Sequence, residues 1–417
     1  MSSTGADSWG LRGTKMRSTR TLCTVIVVGL ALVAAACSNP PPVEPDVTTT
    51  TVPEGYPTTP VGDDEVRINQ IQLIGTHNSY HVAPVATIQG LLTEAASNFP
   101  QIASALGNPA SLNYTHASIP QQLARGLRTF EFDIYADPSG GRFSHPMLAN
   151  LVLFENPMIP SGLDEPGFKM LHIADVDWRT RCMALTDCLT AIREWSDATP
   201  GHLPVIVNLE LKGDGLPEPL VGTPVLPFDA DVLDTLDAVL RSELGDRLIT
   251  PDDVRGDAVD LNTAVTTTGW PTLAESRGKV LFFMDNADLR TTYLDGHPSL
   301  EGRVMFTSSG EGEPDGAILK VNEPGDGSRI ADLVAQGYIV RTRSDADLAE
   351  AWAGDTARAE VALASGAQVV STDFPVGETY TATGYRVAFD GLAVQGRCNP
   401  ANTTPAECAL AAVVEPG

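Results

Sequence analysis

Ile71-Gln72-Leu73-Ile74-Gly75-Thr76-His77-Asn78-Ser79-Tyr80-His81 is the stretch whose reading decides the fold. A short apolar run, Ile71 to Ile74, closes on Gly75 and then delivers His77 and Asn78 side by side. Such a run predicts a buried strand whose C-terminal end opens into a polar loop. An imidazole moves protons near neutral pH, and an amide oxygen suits a hard cation. Taken alone, a His-Asn turn that only satisfies backbone groups fits equally well.

Three further stretches narrow the choice. Leu127-Arg128-Thr129-Phe130-Glu131-Phe132-Asp133-Ile134-Tyr135 has a strand pattern, with Glu131 and Asp133 two residues apart. The two-residue period of a strand puts both carboxylates on one face. Buried acids are costly unless paired or bound to metal, so two on an inward face point to a cation site. Leu203-Pro204-Val205-Ile206-Val207-Asn208-Leu209-Glu210-Leu211-Lys212 also ends an apolar run in a carboxylate, Glu210, with Lys212 on the same face. Phe168-Lys169-Met170-Leu171-His172 ends in a second histidine.

Strand-like runs at Ile71–Ile74, Leu127–Tyr135, Phe168–Ile173, Leu203–Leu211, Lys279–Met284, Arg303–Phe306, Tyr338–Arg341 and Gln368–Thr372 alternate with helical ones. Eight strands in such alternation predict an α/β fold, a (β/α)8 barrel of the TIM type in one catalytic domain. In that architecture the chemistry sits at the C-terminal ends of the strands, where His77, Asn78 and Glu210 fall. Helical patterns cover Cys182–Trp195, Asp229–Leu244 and Asp345–Leu363, the last two opening on acidic residues as the helix dipole favours. The segment from Val82 to Ser118 is longer than a simple crossover and is expected to form a lid or a rim helix pair.

Gly75-Thr76-His77-Asn78-Ser79-Tyr80, Glu131-Phe132-Asp133, Lys169-Met170-Leu171-His172-Ile173-Ala174-Asp175 and Asn208-Leu209-Glu210-Leu211-Lys212, in this order and spacing, resemble the bacterial branch of the calcium-dependent phosphoinositide-specific phospholipase C family. The likeness runs from about Ile71 to Pro375. It implies calcium held by Asn78, Glu131, Asp133 and Glu210, His77 against the phosphoryl oxygens, and His172 as the acid for the leaving glycerol oxygen. The base remains open between His77 and Glu131. Lys212, Lys320 and Arg341 are candidate contacts to substrate phosphate or hydroxyls, each with an ordinary paired or surface charge as the competing account. Asp373 is placed to orient a histidine or a sugar hydroxyl. His81 and His145 read as loop residues, and Trp178 and Trp195 as packing.

The implied activity is cleavage of phosphatidylinositol-type lipids to diacylglycerol and a cyclic inositol phosphate. A related barrel family, the glycerophosphodiester phosphodiesterases, also uses Glu-x-Asp and two histidines. Arg-Gly normally follows its first histidine, where Asn78-Ser79 stands here. A catalytically silent surface-binding barrel is the remaining alternative, and it gives no reason for His77, His172 and four candidate ligands to be present together.

Residues 1–36 read as a signal peptide of the lipoprotein type: Arg17 and Arg20 precede an apolar run that ends Ala34-Ala35-Ala36-Cys37. Cys37 is then the expected lipid attachment point, giving a surface lipoprotein or, without lipidation, a secreted protein. Residues 37–65 are rich in Pro and Thr without periodicity and read as a flexible tether. Residues 66–417 form the barrel domain with a disulfide-bearing tail. Proximity favours Cys182–Cys188 and Cys398–Cys408 over other pairings in an oxidising compartment. No partner at zinc-like spacing accompanies these cysteines. With 27 basic against 53 acidic residues and a net charge of −26, a nucleic-acid partner is disfavoured. The expected state is a monomer, its partners being the lipid substrate and, through Cys37, the membrane.

Overall fold

The computed structural model describes residues 64–99, 107–151, 159–216, 220, 222–403 and 415. The proposed signal, Cys37, the tether up to residue 63 and Cys408 lie outside the described residues. The strands are β1 (Ile71–Thr76), β2 (Thr129–Asp137), β3 (Gly167–Met170), β4 (Val205–Leu211), β5 (Leu248–Ile249), β6 (Val280–Met284), β7 (Phe306–Thr307), β8 (Ile318–Lys320), β9 (Ile339–Arg343), β10 (Val369–Thr372) and β11 (Gly396–Cys398).

Eight of them close a parallel ring. β1 pairs with β2, then follow β4, β6 and β7. A parallel bridge from Ser308 to Ile318 carries the ring to β8, and β9 and β10 return it to β1. Ring strands are covered outside by helices and filled inside by side chains, so β2 is buried along its whole length. The helix Leu185–Ala198 buries Leu185, Cys188, Leu189, Ile192 and Ser196, one face of a 3.6-residue period. The helix Ala230–Leu244 does likewise with Leu233, Leu236, Leu240 and Leu244. Its first turn is capped by Asp229, whose Oδ1 accepts from the Val232 N–H at 3.0 Å.

The ring is uneven at β1 and β2, which share the single register pair Gly75↔Thr129. A Cβ on Gly75 would stand 1.9 Å from the Thr129 carbonyl oxygen, so this approach admits only glycine. Toward the N-terminal ends of the two strands, β11 runs antiparallel to β1, and the Gln395 N–H donates to the Gly126 carbonyl at 2.8 Å. Residues 395–398 are thus wedged between the first two ring strands. Glu415 completes that closure by pairing with Arg128, whose guanidinium also stacks on Trp195 at 4.4 Å.

Two expectations are corrected. Phe168–Ile173 is not a ring strand: β2 outruns β1, with which it shares only the pair at Thr129. Its residues Ile134–Asp137 take β3 as an antiparallel partner on that side, while Ile134 still faces Leu211 of β4 on the other. The eighth ring position belongs to β8, Ile318–Lys320. Asp345–Leu363 is not one helix but two short ones, Ala349–Ala353 and Ala357–Ala364, broken at left-handed Gly354. Asp345 opens neither. It is buried and accepts from the Asp373 N–H at 2.9 Å and the Tyr385 hydroxyl at 3.2 Å.

Above the ring, the Val82–Ser118 segment supplies the helix Ala86–Asn98 and a 3-10 turn at Pro109–Leu112. Ile88, Leu92 and Leu112 pack with Tyr135, Phe143, Leu171, Val176 and Trp178 into a small second core over the barrel mouth. Cys182 and Cys188 form a disulfide, and Cys398 is disulfide-bonded too. Among the described residues, no helix is long and apolar enough to cross a membrane.

Candidate active site

His77 leaves the end of β1 and meets β10: its Nδ1 lies 2.7 Å from Asp373 Oδ1. A carboxylate only accepts, so Nδ1 carries the proton and Nε2 presents its lone pair, 3.8 Å from Glu131 Oε1. Arg343 completes this corner, with Nη2 3.4 Å from Asp373 Oδ2. Burial, then Arg343, lowers the pKa of His77, against the opposing pull of Asp373 and Glu131. Burial would raise Asp373, but His77 and Arg343 hold it well below the usual carboxylate range. Behind His77, the His116 Nε2–H donates to the His77 carbonyl at 2.9 Å, and His116 Nδ1 lies 2.6 Å from Glu378 Oε2.

Asn78 is left-handed, with φ of 46°. That conformation costs a non-glycine residue about 1–3 kcal/mol and persists only where its surroundings impose it. Here the Ser79 N–H donates to the Glu131 carbonyl at 2.9 Å, and the Glu131 N–H donates to Ser79 Oγ at 2.8 Å. The turn is thereby clipped to β2 beside the first carboxylate. Asn78 Nδ2 donates to the Tyr114 hydroxyl at 2.9 Å, whereas its buried Oδ1 has no hydrogen-bond partner among the described residues.

The register of β2 and β4 sets Asp133 opposite Glu210 and Glu131 opposite Asn208. Glu131, Asp133 and Glu210 each offer an oxygen within 4.8 Å of the others. Burial would raise Glu131, but Arg341, reaching across from β9, holds it at about 2. Asp133 is raised well above the usual range by burial and by the neighbouring carboxylates. Its Oδ1 has no partner among the described residues, and its Oδ2 has Lys212 Nζ at 2.9 Å. Lys212 also reaches Glu210 Oε1 at 2.7 Å. Unpaired buried oxygens on Asn78 and Asp133, in an all-oxygen set, fit a calcium ion.

His172 follows β3, and its Nδ1 lies 2.9 Å from Asp177 Oδ2. The same oxygen takes His81 Nε2 at 2.7 Å. Burial would raise Asp177, but His81 and the hydrogen bonds from both imidazoles hold it at about 2. His81 lies in the connection after β1, as expected, but it is fully buried there, with its Nδ1 3.0 Å from the Tyr114 carbonyl. His145 lies in a loop, as expected, and is exposed. The Cys182–Cys188 disulfide fixes the end of the arm that carries His172 and Asp177.

The three proposed substrate cations are all engaged. Lys212 lies among the carboxylates, Arg341 pairs with Glu131 and Asn322, and Lys320 pairs with Asp285. Asp285 also accepts from Asn208 Nδ2 at 3.0 Å. Sequence reasoning passed over Asp177, Tyr114, His116, Asp285 and Arg343. Asp285 was within reach, since it follows the apolar run Val280–Met284 as Glu210 follows Val205–Leu209.

Residues 66–400 match the family described as calcium-dependent phosphoinositide phospholipase C. No curated protein sequence matches the chain. Among solved structures it is similar to the calcium-dependent phosphoinositol-specific phospholipase C of a Pseudomonas species, at 16% identity and TM-score 0.47, covering 81% of this chain and 96% of that one. It is also similar to the calcium-dependent phosphatidylinositol-specific enzyme of Streptomyces antibioticus, at 17% identity and TM-score 0.44, covering 74% and 95%. The family match spans nearly the whole barrel and both carboxylate strands, and the chain belongs to the calcium-dependent phosphoinositide phospholipase C family of phosphodiesterases.

Proposed function

We propose that the protein is an exported enzyme that cleaves phosphatidylinositol-type lipids into diacylglycerol and a cyclic inositol phosphate. The observation that carries this is the set of unpaired buried oxygens on Asn78 and Asp133 beside Glu131 and Glu210, flanked by two carboxylate-held histidines. Calcium held by Asn78, Glu131, Asp133 and Glu210 would supply positive charge to the phosphoryl oxygens and make the inositol 2-hydroxyl more acidic.

The protein's own groups carry the proton transfers. His77, with Nδ1–H on Asp373, offers Nε2 to the 2-hydroxyl, whereas Glu131 is already spent on Arg341; this favours His77 as the base. The 2-oxygen bonds to phosphorus as its proton passes to His77. The bond from phosphorus to the glycerol oxygen breaks as His172, held by Asp177, gives that oxygen a proton. Lys212, Lys320 and Arg341 meet substrate only by sharing it with the carboxylates they already pair.

The Cys182–Cys188 disulfide supports export, and the Arg17 to Cys37 pattern supports a lipid anchor on the outer face of the membrane, with the protein acting as a monomer. Phosphorus NMR of the products from phosphatidylinositol tests the reaction. A cyclic inositol phosphate is expected with calcium and none with chelator; glycerol phosphate instead would place the enzyme with the glycerophosphodiesterases.

A further inference from the structure

A tyrosine stands between the two acid–base histidines. The Tyr114 ring lies 6.4 Å from that of His77, at 20° to it, and 4.2 Å from that of His81, at 27°. The His81 ring in turn meets that of His172 edge-on at 5.7 Å. The four rings form a row with the proposed base at one end and the proposed acid at the other. Tyr114 is fixed there by its backbone. Its carbonyl faces His81 Nδ1 at 3.0 Å, and the neighbouring Thr115 and His116 bond to Val82, Ala83 and His81.

The hydroxyl of Tyr114 has one partner among the described residues, the Asn78 Nδ2–H that it accepts at 2.9 Å. A phenol with a pKa of about 10 keeps its proton at neutral pH. The O–H donor is therefore unspent, and Asn78 directs it by occupying the acceptor side. An in-line displacement sets the attacking and leaving oxygens at opposite apices of phosphorus, with the non-bridging oxygens around the waist. The attacking oxygen belongs near His77 and the leaving oxygen near His172, so the waist falls beside the middle of the ring row.

We propose that Tyr114 is a further catalytic residue whose O–H donates a hydrogen bond to a non-bridging phosphoryl oxygen as negative charge builds there. The inference rests on the roles given above to His77 and His172. It adds a protein donor on the side of the phosphoryl group facing Tyr114.

Tyr114→Phe tests it, assayed on phosphatidylinositol at saturating calcium. Removing one oxyanion donor costs about 10²–10³-fold in kcat, and a loss in that range is expected. The calcium concentration for half-maximal rate should stay put. If added calcium restored the rate, Tyr114 would serve only to hold Asn78, and the proposal would fall. An unchanged kcat would also sink it. A second readout uses the two diastereomers of a substrate with sulfur at one non-bridging position. Sulfur accepts hydrogen bonds poorly, so the wild-type preference between them should shrink in Tyr114→Phe; an identical ratio would refute the contact. Should that variant not fold, fluorotyrosine placed at position 114 sharpens the donor without altering the ring's shape. Its kcat should then change, and an unaltered kcat overturns the proposal. Wild-type enzyme that yields no cyclic phosphate would instead overturn the proposed function, which keeps the two failures apart.

Discussion

Replacing Asp177 by Asn separates the proposed acid from its support while leaving the imidazole in place. Asp177 Oδ2 takes two ring nitrogens, at 2.7 Å from His81 and 2.9 Å from His172, and the residue is 1% exposed. Its pKa of about 2, against an ordinary 3.8, reflects how far these partners, against the opposing effect of burial, favour the carboxylate over the acid. At 1.36 kcal/mol per decade, that gap amounts to about 2 kcal/mol. Because the folded value is the lower one, this contribution is fully present at neutral pH and fades only as pH falls from near 4 through about 2. An amide oxygen in the place of Oδ2 can still accept from both imidazoles but carries no charge. The NH2 beside it takes the place of Oδ1, which is buried with no partner among the described residues, and stranding a buried donor costs about 1–3 kcal/mol. Asp177→Asn should therefore lose about 2–3 kcal/mol at pH 7, read from the urea midpoint. On phosphatidylinositol, kcat should fall by about 10²–10⁴-fold, the range of general acid catalysis. An inositol phosphate ester of a nitrophenol, whose leaving group needs no proton, should be largely spared. Equal losses on both substrates, or a wild-type urea midpoint, would refute the reasoning.

Three more outcomes are expected. Chelation should abolish activity and calcium restore it, with magnesium a poor substitute because it demands a tighter octahedral shell; calcium at about 100 times its Kd should add about 2.7 kcal/mol to the urea-derived stability. Gly75→Ala should cost at least about 3 kcal/mol, measured the same way, because its Cβ would meet the Thr129 backbone at the one register pair joining β1 to β2. Cys37→Ser should release the protein from the membrane fraction or block its processing, and mass spectrometry of the mature N-terminus should find Cys37 first; an N-terminus elsewhere would leave a secreted enzyme.

The sequence by itself determined the ring strands that carry the ligands and the faces they use. Glu131 and Asp133 share a side because a strand repeats every two residues, and Glu210 and Lys212 share theirs for the same reason. The apolar runs placed His77 and Glu210 at strand ends, and six residues of separation made Cys182–Cys188 the favoured pair. Tertiary structure decided what local pattern leaves open. Strand direction is set by the partner, so Phe168–Ile173 joined β2 antiparallel while three residues, Ile318–Lys320, took the ring position. The pairings that tune the site join residues hundreds of positions apart, His77 with Asp373 and Glu131 with Arg341, and no periodicity records them. Tyr114 and His81 carried no strand-end signal. They entered the site because the segment above the barrel mouth folds back between His77 and His172, and burial then obliged each polar atom to find a partner there.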